Sequence, residues 1–160
     1  MQPPFRSCPA VVPLDAARAA LPSAEPGWVF WDAGSERLDC VIAVQPNPMA
    51  GTLARQALCD ALGALGPPYT VAIAVDDAVQ LNGAVVGSVS LENPPDAAVD
   101  LVVVHVAVAD PMDEAPGLHP DRTVLYEEGF PPEVDGKTVL DTFLRHLLSH
   151  AYRAEEASMR

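Results

Sequence analysis

Only one lysine, Lys137, occurs in 160 residues; the other eight basic residues are arginines. Chemistry that requires a lysine ammonium must use that residue or do without. Basic charge is scarce altogether: nine Lys plus Arg stand against 22 Asp plus Glu, a formal net charge of −13. Such a field repels phosphate backbones and anionic lipid headgroups within a Debye length of about 8 Å in physiological salt, which excludes nucleic acid and membrane surfaces as natural partners. Gly-x-Gly-x-x-Gly and Gly-x-x-x-x-Gly-Lys-Ser/Thr are both absent, so the common phosphate cradles are missing too. The three cysteines, Cys8, Cys40 and Cys59, form no Cys-x-x-Cys and no metal-ligand spacing. That excludes a disulfide framework and points to a reducing compartment. No stretch approaches the roughly 18 apolar residues of a membrane span, and the prolines of the first residues break any signal-peptide helix. The expectation is a soluble, cytoplasmic protein.

What the chain does have is apolar residues, 49% of the total, enough for the core of one domain without disulfides or metals. Its 17 prolines act as punctuation. Residues 1–26 hold Pro3, Pro4, Pro9, Pro13, Pro22 and Pro26, leaving room for a short helix over Asp15–Ala20; they read as an arm laid on a domain spanning 27–160. Trp28–Trp31 and Leu38–Val44, separated by Asp32-Ala33-Gly34-Ser35, suit an antiparallel hairpin. Asn47-Pro48 opens a helix whose Leu53, Ala54, Ala57, Leu58, Ala61, Leu62 and Leu65 share one face before Gly66-Pro67-Pro68 stops it. Val71–Val75 is short and β-rich. Asn82-Gly83 between Val79–Leu81 and Ala84–Leu91 is a hairpin signal, because a type I′ turn needs positive φ at both central positions. Leu101–Val108 is a near-continuous apolar run, as for a strand covered on both faces. A loop rich in Pro, Asp and Glu follows from Asp110 to Asp121, and after Asp135-Gly136 an amphipathic helix carries Leu140, Phe143, Leu144, Leu147, Leu148 and Ala151. The pattern gives an α+β domain: a mixed, mostly antiparallel sheet with helices on one face.

Few residues offer chemistry. His146 and His150 are four apart on the last helix, but Leu147-Leu148-Ser149 supplies no glutamate, so the zinc-protease pattern fails and a helix flank is expected. His105 reads as a hydrogen-bonded core histidine, and His119 as a solvated loop residue. Asp76-Asp77 is either a carboxylate pair for a ligand or cation, or turn chemistry. Glu127-Glu128 reads as a solvated acidic loop. Neither Cys40 nor Cys59 has a base or positive environment to activate it.

The order of these segments resembles the catalytic core of the biotin/lipoate protein ligase family, an α+β fold that attaches biotin or lipoate to carrier domains. Val71 through Glu92 is similar to the family's K-W-P-N-D, hairpin and K-x-x-G-I segment, with Asp77 on its Asp and Gly87 on its Gly. Gly27-Trp28 through Pro46 resembles the strand pair after its Arg/Gly-rich ligand loop. Leu101–Asp110 stands at its V-x-x-G-x-G-x-N strand, and Thr123–Gly129 at its T-S-L-x-E-x-G segment. The likeness covers roughly residues 27–155 and is nearest a divergent bacterial branch with poorly kept active-site motifs.

The resemblance implies a ligand site at Trp28, Asp76, Asp77, Asn82, Ala84, Gly87 and Arg122, with biotin, lipoate or ATP as the family's ligands and a carrier domain or other protein as partner. Yet the family's lysine after the hairpin is Ala84 here. Its other motif lysine is Ile73, its Trp-Pro-Asn is Ala74, Val75 and Asp76, its Arg/Gly-rich loop is Ser23-Ala24-Glu25-Pro26, and its glycine strand carries Val104, Val106 and Val108. One lost charge contact at about 4 Å is worth roughly 4 kcal/mol at an effective dielectric of 20, about a thousandfold in rate. The expectation is a ligase-like protein with a degenerate site, noncatalytic, binding an acyl ligand in a slot between the hairpin and the central helix or serving as an accessory subunit. The alternative is a working ligase or acyltransferase in which Asp76 or Asp77 holds a cation and Arg122 or Arg37 replaces the lysine charge.

Overall fold

The computed structural model describes residues 5–109 and 121–158, with side chains to residue 154. Seven strands form one sheet: β1 (Arg6–Pro9), β2 (Trp28–Ala33), β3 (Arg37–Val44), β4 (Ala72–Val75), β5 (Ala78–Leu81), β6 (Ala84–Glu92) and β7 (Asp100–Ala107). Their spatial order is β1-β2-β3-β7-β6-β5-β4. Every pair is antiparallel except β1 with β2. Among the described residues, three α-helices, α1 (Pro13–Ala19), α2 (Ala50–Leu65) and α3 (Gly136–Ser158), and one 3-10 turn, Tyr126–Glu128, accompany the sheet. The α+β class with a mixed, mostly antiparallel sheet is the one expected.

Side chains alternate between the faces of a strand, and the two faces are covered differently. On one, Val29, Leu38, Cys40, Ile42, Val102, Val104 and Val106 pack against Ala54, Ala57, Leu58, Ala61 and Leu62 of α2 and Val139, Leu140 and Phe143 of α3. These are the helix faces that the periodicity marked. On the other, Phe30, Val41, Ala43 and Leu101 pack with Ala17 of the short α1 and with Ala24 and Val99 outside it. Both faces of β7 are therefore buried along much of its length, which explains its unbroken apolar run.

The boundaries follow local chemistry. Asn47 Oδ1 accepts a hydrogen bond from Met49 N at 2.8 Å just before α2, and Gly66 ends that helix in an extended conformation. Asp135 Oδ1 caps α3 by accepting from Thr138 N and Thr138 Oγ1, both at 2.9 Å, satisfying a donor that the first turn leaves free. Residues 5–26 do more than lie on the surface. Cys8 pairs with Phe30 in the parallel β1–β2 ladder, and Ala17 of α1 is fully buried. Pro13 starts α1 two residues before the expected Asp15, since proline suits a first helical turn. Among the described residues no helix is long and apolar enough to cross a membrane. The acidic loop with His119 lies outside the described residues, apart from Asp121.

Candidate functional site

Two tandem hairpins build the region to which the sequence pointed. Asp76-Asp77 forms the two-residue turn between β4 and β5, and Asp76 takes a left-handed φ of 53°, which Asp tolerates better than most side chains. The pair thus forms a turn. Asn82 and Gly83, at φ 52° and 93°, form the next turn as their type I′ signature requires. Between β5 and β6 the register shifts: Val79 pairs with Gly87 but Gln80 with Val85. Val86 is the extra residue of this bulge, and it is fully buried.

Gly87 has a structural reason. A Cβ there would stand 2.1 Å from the His105 carbonyl oxygen, so only glycine lets β6 and β7 approach at their Gly87–Val106 pair. The slot expected between hairpin and central helix is packed shut. Val79, Leu81, Val86, Val104 and Val106 share one core with Ala54, Leu58, Ala61 and Leu62, each exposed by 1% or less.

The surrounding polar groups are occupied with one another. Asp77 Oδ1 lies 3.3 Å from Nη1 of Arg55, which reaches it from α2. The same Nη1 also donates to the Val89 carbonyl at 3.4 Å. Gly51, one turn earlier on α2, leaves room for that guanidinium, which a Cβ there would approach to 3.3 Å. Arg55 was missed at the level of sequence, although it and Asp60 are the only charged residues of α2. Asn82 Oδ1 accepts from Val71 N at 2.9 Å and its Nδ2 donates to Glu128 Oε1 at 2.8 Å. Thr123 Oγ1 donates to Glu128 Oε2 at 2.7 Å. Glu128 is accordingly a structural strut rather than a solvated acid.

Six of the seven sequence candidates, Asp76, Asp77, Asn82, Ala84, Gly87 and Arg122, collect around β4–β6. Ala84 pairs with Leu81 beside the Asn82-Gly83 turn. Arg122 is bridged to Val85 in parallel fashion, with Val85 N donating to Asp121 O and Thr123 N to Val85 O, each at 2.8 Å. Trp28 stands apart on β2, where the Arg6 guanidinium lies 4.1 Å from its ring centroid. Four other positive side chains face carboxylates: Arg18 with Glu92, Arg37 with Asp39, Arg55 with Asp77 and Lys137 with Asp141. Lys137 also lies over the Trp31 ring at 5.1 Å. Since β2 and β6 are separated by two strands, it stands about 14 Å or more from the hairpin across the sheet. Arg37 is on β3, likewise removed from Ala84.

The remaining candidates are modest. His105 Nδ1 is 2.6 Å from Asp39 Oδ1, and the ring is half-buried on the sparsely covered face. His150 Nε2 meets Asp60 Oδ2 at 2.7 Å, tying α3 to α2. No group of three His, Cys, Asp or Glu able to hold a metal exists among the described residues. Burial pushes the thiols of Cys40 and Cys59 up, helped by Asp39 and Asp60 respectively, the direction opposite to thiolate activation. A cavity of about 350 Å³ does exist, lined by Ile42, Val44, Leu53, Val102, Leu147 and Leu148 among others. It lies toward the Val44 end of β3, whereas Gly87 is aligned through Val106 with Leu38 near the other end.

The model of the Biotin/lipoate A/B protein ligase family matches residues 3–160. Among solved structures, a biotin protein ligase-like protein of unknown function from Silicibacter sp. TM1040 superposes with a TM-score of 0.75 at 28% identity, covering 98% of this chain and 74% of that one. Biotin protein ligase from Aquifex aeolicus gives 0.71 at 18% identity, with 98% and 72% covered. That of Leishmania major, in complex with biotinyl-5-AMP, gives 0.61 at 14%, with 92% and 74% covered. No curated protein matches.

Proposed function

Since the chain belongs to the biotin/lipoate A/B protein ligase family, we propose that it uses this fold to bind an acyl-type ligand or a protein partner without activating an acyl group through ATP. Adenylation develops negative charge on the acyl carbonyl and phosphate, and a cation held in place stabilises it. Here the two motif lysines are Ala84 and Ile73, and Lys137 is committed to Asp141 and Trp31. The observation that carries the reading is the packed slot: Val86, Val104 and Val106 fill the space under Gly87 where the resemblance would seat a ligand. An apolar ligand would have to use the separate cavity against Ile42 and Leu147, which has room for a short aliphatic chain. The three free cysteines support placing the protein in the cytoplasm.

Isothermal titration with ATP·Mg, biotin, lipoate and octanoate tests this directly. Heat from an acyl acid with none from ATP is the expected result; tight ATP·Mg binding would overturn the reading. One observation favours a second one. The bridge between Val85 and Arg122 brings an arginine into the row beside Ala84, where its charge could stand in for the lost lysine. Incubating the protein with an acceptor domain, ATP and radiolabelled octanoate decides between them, because label on the acceptor requires a working, rearranged site.

A further inference from the structure

One row of side chains crosses the sheet on the face turned away from α2 and α3. Directly paired residues share a face, and the pairs Val75–Ala78, Ala78–Ser88, Ser88–His105, His105–Asp39 and Asp39–Asp32 set residues of six strands side by side. Within that row a hydroxyl, an imidazole and a carboxylate follow one another. His105 Nδ1 lies 2.6 Å from Asp39 Oδ1. An ionised carboxylate only accepts, so Nδ1 carries the proton and Nε2 is left as a bare acceptor. With Nδ1 turned to β3, Nε2 across the ring faces away from β3, on the side of β6. Ser88 stands on that side, half-buried, and among the described residues its Oγ has no hydrogen-bond partner. Directly opposed residues hold their Cβ atoms about 4.5–5.5 Å apart, a gap that a serine–imidazole hydrogen bond bridges once the hydroxyl turns to the ring. The His105 side chain is 25% exposed, so the row is open to a ligand.

We propose that Ser88, His105 and Asp39 form a separate acyl-transfer centre, which cleaves carboxylic esters that carry an apolar acyl group and no negative charge. Ser88 is the nucleophile, His105 the base, and Asp39 a positioning residue that fixes the imidazole tautomer. The Ser88 Oγ forms a bond to the acyl carbon while its proton passes to His105 Nε2. The ester C–O bond breaks, and the leaving alcohol takes that proton, which leaves an acyl-serine. Water, losing a proton to the same nitrogen, then attacks the acyl carbon, releases the carboxylic acid and restores the Ser88 hydroxyl. The two ends of the row choose the substrate. Beyond Ser88 come Ala78 and Val75, with Ile73 on the same face, and Val75 and Ile73 are 45% and 47% exposed, a seat for an apolar chain. Beyond His105 come Asp39 and the exposed Asp32, on a chain that carries −13, so an anionic substrate is repelled. The acyl group arrives already activated as an ester, so the centre needs no ATP and stands whatever occupies the cavity beside Ile42.

The test uses the full chain with p-nitrophenyl butyrate, followed by nitrophenol release, and with diisopropyl fluorophosphate, followed by peptide mass mapping. Ser88 should be the residue that takes the phosphoryl group as fluoride leaves, and ester hydrolysis should stop as the label goes on. Ser88→Ala should lose both reactions, and His105→Gln should slow both by about a hundredfold or more. Asp39→Asn should lower kcat with KM unchanged, a split that a merely structural role would not produce. The succinate half-ester of p-nitrophenol, which has the same leaving group but a carboxylate on its acyl chain, should react about tenfold or more slowly. Label on another residue, no label, hydrolysis that survives Ser88→Ala, or equal use of the two esters would overturn the proposal. So would butyryl transfer to the His105 ring with Ser88 untouched, because the imidazole would then be the nucleophile. Mapping on the unaltered chain decides the matter by itself should a variant fail to fold.

Discussion

Replacing Gly87 with alanine asks whether this glycine answers to the sheet or to a ligand. The new Cβ would lie 2.1 Å from the His105 carbonyl oxygen and 3.1 Å from both His105 C and Val106 Cα. All three are backbone atoms of β7, so no side chain can swing away. A tolerable carbon–oxygen contact is about 3.3 Å, and the strands must part by roughly 1 Å. Overpacking of this kind costs about 1–3 kcal/mol, and stretching a flanking ladder hydrogen bond about 1 kcal/mol more. Taking about 3 kcal/mol in sum, and an unfolding entropy of about 2.1 cal/mol/K per residue, Tm should fall by roughly 9 °C. Thermal unfolding followed by far-UV circular dichroism measures it. Gly63→Ala is the control: it sits in α2 with nothing within 4 Å of a new Cβ, and should gain about 1 kcal/mol, roughly 3 °C. An unchanged Tm in Gly87→Ala would refute the strand-contact account and return the position to ligand binding.

Asn82→Ala loses the bonds to Val71 N and Glu128 and puts alanine at a φ of 52°; about 2 kcal/mol of stability should go with it, read as a lower urea midpoint. Hydrogen bonds from Thr138 hold the Asp135 carboxyl below its ordinary value of 3.8. A depressed carboxyl contributes stability above its unfolded pKa and loses it as pH falls through the folded one. The difference in unfolding free energy between the native protein and Asp135→Asn should therefore shrink as pH drops below about 4, and a difference independent of pH would contradict the cap. Cys40 is fully buried with its thiol pushed far above the usual range. Iodoacetamide at neutral pH should leave it unmodified until the protein is unfolded, as peptide mass mapping would establish.

Much of the architecture could be read from short-range signals. Asn82-Gly83, Gly66-Pro67-Pro68 and the alternation in Trp28–Val44 each act through a few neighbouring residues, and each placed an element within a residue or two. What the chain concealed depends on contacts between distant segments. The parallel pairing of β1 with β2 has no local signature, because residues 6–9 must find residues 28–31 across a helix. Arg55 meets Asp77 only after α2 has settled on the sheet, and the packing of Val86, Val104 and Val106 depends on a bulge that no turn residue announces. Asp76-Asp77 shows the ambiguity most clearly, since the same two acids suit a ligand site and a hairpin turn. The register of β4 against β5 shows the turn, and the turn alone.

The position of β7 governs how this chain can be made. It is the last strand in sequence among the described residues, yet it lies between β3 and β6 and joins one three-stranded half of the sheet to the other. Until about residue 107 has left the ribosome, the two halves have no common partner, and the inner margins of both stay bare to solvent. Assembly must wait for a late, valine-rich insertion, so a nascent chain stalled before Asp100 should be a far better client for chaperones than one released only a few residues later.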